Sequence, residues 1–314
     1  MAAYLIRRFL LMLLTLAGIS IVIFTLLRVV PGNIADILFS AAGMINPEDK
    51  LEIERQLGLD QPIYLQYLHW IAGLSHGDLG YSYVSEKPAL DEILPRLPIS
   101  GKLAGMALCF AVLIGIPLGV ISAVRQNTLL DYLLRVVSLS GLSLPSFWLG
   151  LLILMLCVRY FGWIPIYTEP PKTWWNELAL FAIPAAAVGF RSSALMMRLT
   201  RSSMLEVLRQ DYIRTARAKG LAERSVILKH AMRNALTPVI TLGALELGTL
   251  LSGAVLTEQI FSIPGFGKLI VDAVFNRDYA VVQGVVLVTA LCFIVVNLFA
   301  DVLYILLNPR LRRS

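Results

Sequence analysis

The feature that most constrains this chain is a series of six apolar stretches, each close to the length that a helix needs to cross a membrane. A hydrocarbon core of about 30 Å requires about 20 mostly apolar helical residues. The stretches cover residues 9–27, 99–124, 132–158, 178–197, 236–256 and 281–307. Within lipid, backbone polar groups must be satisfied inside the segment, and a helix does this. We therefore expect an all-α integral membrane protein with six transmembrane helices.

Composition supports a membrane protein over a soluble one. Hydrophobic residues make up 57% of the chain and charged residues 15%, against about 45–50% and about 25% in soluble domains. The net charge of +6 would suggest nucleic acid as a partner of a soluble protein. In a membrane protein the same excess is typical of cytoplasmic loops rich in Lys and Arg, so no nucleic-acid partner is expected. Cys109, Cys157 and Cys292 lie in apolar runs, which indicates neither a disulfide framework nor a metal site.

The distribution of basic residues predicts the orientation. Arg7 and Arg8 precede the first apolar stretch, and no convincing signal-peptide cleavage site follows it. With an uncleaved first helix and six spans, both termini, the short loop 125–131 and the basic stretch 198–233 share one side. Positive charge in short loops favours the cytoplasm. The sequence thus predicts a multi-pass membrane protein with both termini inside.

The polar segment after the first helix is predicted to be a small outer insertion. Pro47 and Pro62 are each predicted to begin a helix, since proline is favoured at the first helical position. Acidic residues follow Pro47, and apolar residues at helical spacing follow Pro62. Such a segment is too small for an independent core, so it should pack on the membrane domain. The predicted divisions are a first transmembrane helix at 1–30, a helical extracytoplasmic insertion at 31–98, a five-helix core at 99–307 with a cytoplasmic loop at 198–238, and a cytoplasmic tail at 308–314.

Glycine and proline add detail to the spans. Gly101 with Gly105, and Gly115 with Gly119, have the four-residue spacing that lets a neighbouring helix approach closely. Pro145 falls inside the third apolar stretch and is expected to interrupt it.

The loop 198–238 is the only long basic segment between apolar ones. It carries nine Lys or Arg residues against three acids between positions 198 and 233. Ser203 and Glu206 have the spacing of a capping box, which predicts a helix start near Ser203. Gly220 is a suitable helix end. A second helix is expected at about 222–234, followed by a fifth span that begins at Thr237-Pro238. Such a surface suits either anionic lipid or a protein partner.

Three charged residues lie in the apolar stretches: Arg191, Glu246 and Asp301. Glu246 and Arg191 are the candidates for a translocation path, whereas Asp301 lies nearer the cytoplasmic end of its span and is expected to pack or cap locally. Intramembrane ionisable groups are costly and usually face a cavity or each other. Glu246 could line the translocation path, or could form a structural pair with Arg191. The run Gly265-Phe266-Gly267-Lys268 lacks the first glycine and the Ser or Thr of a phosphate-binding loop. The three histidines are scattered, and no metal site is expected.

Several motifs in order resemble the permeases of ABC importers, and most closely the branch that imports dipeptides, oligopeptides, nickel and glutathione. The segment that resembles the cytoplasmic loop of that family is DYIRTARAKGLAERSVILKHAMRNALTPVI. Other segments similar to this branch are RRFLLMLLTL with RVVPGN, LGLDQPIYLQYLHWI, GDLGYS, PSFWLGLLILM and EQIFSIPGFGKLIVDAVFNRDY. The resemblance covers nearly the whole chain and implies a type I ABC importer permease fold in a bacterial inner membrane.

The resemblance also implies functional residues. A coupling helix that docks on a separate ATPase would comprise Arg214, Thr215, Ala216, Arg217, Ala218, Lys219, Gly220 and Leu221. Arg214 and Thr215 stand where the general family pattern has Glu and Ala, so no role of that Glu carries over. An outer loop near the gate would contain Glu258, Phe261, Pro264, Gly265 and Gly267.

The function implied by the resemblance is ATP-driven, binding-protein-dependent import by alternating access, with short peptides as the expected cargo. Nickel chelates and glutathione are the alternatives. The expected partners are a second homologous permease, two ATP-binding subunits and an extracytoplasmic substrate-binding protein. The chain itself is expected to be no enzyme and to hold no cofactor, with ATP and Mg²⁺ on the partner subunits. A different class, an ion-coupled secondary transporter using Glu246 and Asp301, would need no ATPase.

Overall fold

The computed structural model describes residues 2–29, 35, 36, 39, 47–56 and 58–307. The predicted tail at 308–314 lies outside these residues. The longer helices are α1 (Ala2–Val29), α2 (Pro47–Gln56), α3 (Ile63–Ser75), α5 (Leu97–Val124), α6 (Leu129–Ser143), α7 (Ser146–Leu156), α8 (Trp174–Leu208), α9 (Asp211–Ala218), α11 (Met232–Gly253), α13 (Phe266–Phe275) and α14 (Tyr279–Leu307).

Short elements connect the longer helices. They are strands β1 (Tyr81–Ser82) and β2 (Lys87–Pro88), helices α4 (Ala89–Ile93), α10 (Glu223–Ser225) and α12 (Val255–Ile260), a 3₁₀ turn at Leu94–Arg96, and π-helical turns at Cys157–Phe161 and Val226–Ala231. The two strands pair antiparallel, with Tyr81 opposite Pro88 and Ser82 opposite Lys87. In the part of the chain that the structure describes, the regular secondary structure is therefore helical apart from one minimal hairpin, which the sequence did not predict.

Five helical segments among the described residues are long and apolar enough to cross a membrane. They are Arg7–Val29, Ala89–Val124, Trp174–Leu208, Glu223–Leu251 and Tyr279–Asp301. A sixth span requires α6 and the segment Ser146–Phe161 to count together, although they meet at a bend of 106°. The bend lies at Leu144 and Pro145, which are both extended. The predicted interruption at Pro145 is thus confirmed.

The described residues group into two compact units. The first lies within Met1–Ser100 and Pro264–Ile294, and the second within Gly101–Ile263 and Val295–Ser314. The predicted divisions at residues 30, 98 and 307 stay predictions.

In the first unit, the hairpin and α4 pack with α13 and the start of α14. Their core holds Ala89, Ile93, Phe266, Leu269, Ala273, Val281, Val282 and Val285. Asp278 precedes α14 and fixes the hairpin to it, because its buried carboxylate accepts hydrogen bonds from the Ser82 hydroxyl and, at 3.2 Å, from the Val281 N–H. On α1, Ser20 is hydrogen-bonded to Tyr67 of α3 at 2.9 Å.

In the second unit, α5 and α8 lie in direct backbone contact. A Cβ atom added to Gly189 would lie 2.5 Å from the Ala107 carbonyl oxygen, and one on Gly115 would lie 2.5 Å from the Ser193 oxygen. Only glycine permits so close an approach. The prediction for Gly115 and Gly119 is confirmed, since Gly119 makes a similar contact with Met197 and Thr200. A Cβ on Gly101 or Gly105 would meet nothing within 4 Å.

The structure shows that two predicted helix starts in the basic loop are wrong. Ser203 does not start a helix: it is buried inside α8, which continues to Leu208. Nor does a new helix begin at Thr237-Pro238, because Pro238 lies within α11 and helical backbone runs from Glu223 to Gly253. Apolar packing of Met204 on the underlying core keeps α8 helical past the local capping signal.

Candidate functional site

The predicted coupling helix corresponds to α9, an eight-residue helix between α8 and α10. It begins after Gln210, whose backbone is extended (φ −72°, ψ 149°), and Asp211 occupies its first turn. The acid is favourable there because helix N-termini carry partial positive charge. Gly220 follows the helix with φ +74°, a left-handed conformation that favours glycine. The predicted helix end at Gly220 is confirmed.

One face of α9 anchors it to the rest of the second unit. Ile213 is fully buried, and Ala216 is 7% exposed. Both pack in an apolar cluster, here called the platform, whose buried members are Ala123, Met204, Ile213, Ala216, Val226, Ala231 and Ala235. The Tyr212 hydroxyl accepts a hydrogen bond of 2.8 Å from the Asn234 amide of α11. The helix therefore lies on three neighbouring elements, α5, α8 and the segment that leads into α11.

The other face of α9 and the residues that follow the helix are exposed. They include seven of the eight predicted docking residues: Arg214, Thr215, Arg217 and Ala218 on α9, and Lys219, Gly220 and Leu221 directly after it. Ala216 is the exception, because it faces the platform. The structure thus separates the predicted set into one anchoring residue and a continuous outward surface.

Charge on the outward surface is partly neutralised from within the loop. Arg217 donates to both oxygens of Glu223, at 3.1 and 2.7 Å. These hydrogen bonds raise the pKa of Arg217 above its ordinary value, so it stays cationic. Arg214 lies 3.5 Å from Asp211, an exposed contact of little strength. Lys219 has no ion pair within the described part of the chain. The surface combines small side chains with net positive charge.

A buried ion pair next to the platform escaped the sequence analysis. Asp131 is fully buried and receives the Arg201 guanidinium in a fork, with distances of 2.8 Å from Nε and 2.9 Å from Nη2. It also accepts hydrogen bonds from the Ser122 hydroxyl at 2.5 Å and the Asn127 N–H at 3.0 Å. The pair joins α5 and α6 to α8 a short distance before α9. Nothing in local sequence pattern relates positions 70 residues apart.

The two proposed path residues do not pair with each other. Glu246 is buried and accepts a hydrogen bond of 2.5 Å from Ser192, the residue next to Arg191. Arg191 is exposed and forms no ion pair with Glu246. The hypothesis of a structural Glu246–Arg191 pair is therefore wrong for this chain. A role of Glu246 in the path stays a prediction.

The predicted outer-loop residues are mostly buried. In the second unit, Glu258 and Phe261 are 1% and 0% exposed, and the Phe261 carbonyl accepts a hydrogen bond from Tyr167 at 2.8 Å. In the first unit, Gly265 immediately precedes α13 and Gly267 lies inside it, both buried, while Pro264 is half-buried. Their role at a gate stays a prediction. Among the described residues, no group of three His, Cys, Asp or Glu side chains could hold a metal ion.

Comparison with known proteins gives consistent matches over the full chain. Residues 115–313 match the family model described as "binding-protein-dependent transport system inner membrane component", and residues 1–104 match the model for its N-terminal part. The chain is 41% identical to the dipeptide transport system permease protein of Escherichia coli strain K12, covering 100% of both chains. It is 40% identical to a glutathione transport system permease protein of E. coli O6:H1, covering 99% of both.

A solved structure shares the fold. A chain of the MetNI methionine ABC transporter, in an inward-facing conformation, superimposes with a TM-score of 0.57 over 69% of this chain and 96% of that one. Sequence identity is 16%, so this likeness concerns the fold alone.

Proposed function

The chain belongs to the family of binding-protein-dependent transport system inner membrane components, and from that premise we propose that it couples ATP hydrolysis on separate subunits to import of short peptides. It is a multi-pass protein of the bacterial inner membrane and a transport permease subunit. The printed names of its relatives support peptides as cargo, with glutathione as the alternative. The family's own description requires a substrate-binding protein.

In this proposal α9 is the coupling helix. The observation that carries it is the division of α9 into a buried anchor, Ile213 and Ala216, and an exposed surface of small and basic side chains. Small residues let a partner's surface approach closely, and cations favour an acidic rim. A partner that pushes on α9 pushes on the platform, and hence on α5, α8 and α11. Alternating access then needs only two arrangements of these packed helices.

The remaining machinery is proposed on the same premise. Two ATP-binding subunits carry ATP and Mg²⁺, a second homologous permease completes the path, and the termini and α9 face the cytoplasm. Glu246 contributes a carboxylate to the path, and the residues around Glu258 and Gly265 lie near its outer gate.

The docking role is tested by two matched substitutions at Gly220. Aspartate and asparagine have nearly the same size and both tolerate a positive φ, so they differ mainly in charge. Gly220→Asp places a carboxylate against the acidic rim expected on the ATPase and should abolish both subunit association and ATP-dependent uptake. Gly220→Asn should retain most of both. Association is measured by co-purification of the ATPase with the detergent-solubilised chain. Normal co-purification of the ATPase with Gly220→Asp would contradict the proposal.

Cargo is tested on the cognate soluble binding protein. Calorimetric binding of dipeptides, tripeptides and glutathione to that protein should show micromolar or tighter affinity for short peptides. A preference for glutathione over all other tripeptides would replace the proposed cargo by the alternative.

A further inference from the structure

A groove on the second unit has a composition that no step of peptide transport explains. It has a volume of about 490 Å³ and lies between the end of α5, the start of α6 and the π-helical turn Val226–Ala231. Its walls are almost entirely apolar and include Ile121, Val124, Leu130 and Leu228. Ile121, Val124 and Leu228 are 40–45% exposed, so the groove is open along its length.

Two arginines flank this apolar groove. Arg125 follows the last residue of α5, and Arg224 lies in α10 just before the π-helical turn. Both are exposed, and within the described residues neither forms an ion pair. The nearby carboxylates are already engaged, since Asp131 binds Arg201 and Glu223 binds Arg217. Two guanidinium groups that form no ion pair among the described residues thus border an open apolar surface.

We propose that this groove binds an anionic phospholipid, with the phosphate between Arg125 and Arg224 and acyl carbons along Ile121, Val124 and Leu228. Arginine suits phosphate because its planar fork donates two parallel hydrogen bonds to phosphate oxygens. Basic pockets between membrane helices on the cytoplasmic side are known to hold acidic head groups. An acyl chain covers apolar side chains that no other part of the described chain covers.

The groove shares wall residues with the platform under α9. Val120 and Ile227 line the groove, and both also pack against the platform cluster. A lipid seated in the groove therefore supports the surface on which α9 rests. The proposed site rests on the proposed membrane orientation in one respect: that orientation places the lipid head group in the cytoplasmic leaflet. Its preference for negative charge does not depend on any ATPase.

The test is a lipid titration of the purified full chain followed by native mass spectrometry. Phosphatidylglycerol and phosphatidylcholine with the same acyl chains are compared on the wild type, on Arg125→Gln/Arg224→Gln and on Lys229→Gln. Lys229 is a matched control, because it is exposed on the same π-helical turn but does not line the groove. Each guanidinium near an anionic head group contributes about fivefold in affinity, so the double variant should bind phosphatidylglycerol ~25-fold more weakly.

The expected result is a wild-type preference for phosphatidylglycerol that Lys229→Gln keeps and the double variant loses. Leu228→Trp, which fills the groove without changing charge, should weaken both lipids alike, and Arg224→Gln alone serves if the double variant is not recovered. Equal losses in Lys229→Gln and Arg224→Gln, each of which removes one positive charge, would show diffuse charge attraction and overturn the site. So would an unchanged lipid preference in the double variant combined with loss of ATPase association, which would identify a protein contact.

Discussion

The buried pair of Asp131 and Arg201 makes a quantitative prediction about what holds the second unit together. Asp131 is fully buried and the Arg201 side chain is 18% exposed. Asp131→Asn preserves size but leaves the guanidinium without a counter-charge. Removing one partner of a buried pair costs about 3–5 kcal/mol. Because Arg201 keeps some contact with solvent, we expect the lower end, about 3 kcal/mol of unfolding free energy.

The chain supplies a control with the same chemistry at a different depth. Arg217 and Glu223 form the same forked pair, but their side chains are 43% and 54% exposed. Glu223→Gln should therefore cost no more than about 1 kcal/mol. The double variant Asp131→Asn/Arg201→Gln should recover part of the loss, with a coupling energy of about 1–3 kcal/mol.

The assay is chemical unfolding of the purified chain in detergent micelles, followed by circular dichroism at the same protein and detergent concentration for every variant. If Asp131→Asn and Glu223→Gln destabilised the chain equally, burial would not set the strength of the pair and the reasoning would be refuted. Additive losses in the double variant would show that Asp131 and Arg201 do not act together.

Two further predictions concern the α5–α8 contact and the residue before α14. Gly189→Ala should separate α5 from α8 and lower thermal stability and uptake, because its Cβ would lie 2.5 Å from the Ala107 oxygen. Gly105→Ala should be neutral, since its Cβ would meet nothing within 4 Å. Equal melting temperatures of the two variants would contradict this prediction. Burial raises the pKa of Asp278. The folded state then binds its proton more readily than the unfolded state, so this group's contribution to stability rises as pH falls through the raised value. As pH falls from 7 to ~4, the free energy of unfolding of the wild type should rise relative to that of Asp278→Asn. Parallel stability profiles of the two proteins over this pH range would refute the prediction.

The sequence predicted those parts of the fold that depend on local physics. Long apolar stretches predicted the membrane helices, Pro145 predicted the break between α6 and α7, and Gly220 predicted the end of α9. Each rests on a property of a single segment: its length, a missing N–H donor, or a backbone angle that glycine favours.

Features that depend on distant segments were missed or misplaced. The Ser203 capping signal was overridden, since burial of Met204 continues α8 for another turn. A pair of Glu246 with Arg191 was one of two alternatives that the sequence left open, but the adjacent Ser192 is the residue that binds Glu246. Helical spacing separates neighbours by about 100°, so an error of one residue changes the face. The pairing of Asp131 with Arg201 required the packing of three helices, which no local pattern encodes.

The site was predicted as a sequence of eight residues, and the structure adds its direction. Only Ile213 and Ala216 of α9 are buried, a distinction that depends on where the platform lies. Conversely, the groove beside Arg125 and Arg224 appears as scattered apolar and basic residues in the sequence and becomes a surface only when α5, α6 and the π-helical turn meet.

The measurement that tests the central claim most directly is cross-linking from the exposed face of α9. Ala218→Cys places a thiol on that face, and Lys172→Cys places one in an exposed loop that should lie on the opposite side of the membrane. Both are made with Cys109, Cys157 and Cys292 replaced by serine or alanine. In membranes containing the assembled transporter, a short bifunctional reagent should join Ala218→Cys to the ATP-binding subunit, with a yield that changes when ATP binds. Lys172→Cys should give no such product. An adduct from Lys172→Cys, or labelling of Ala218→Cys by an impermeant reagent from outside, would contradict the account.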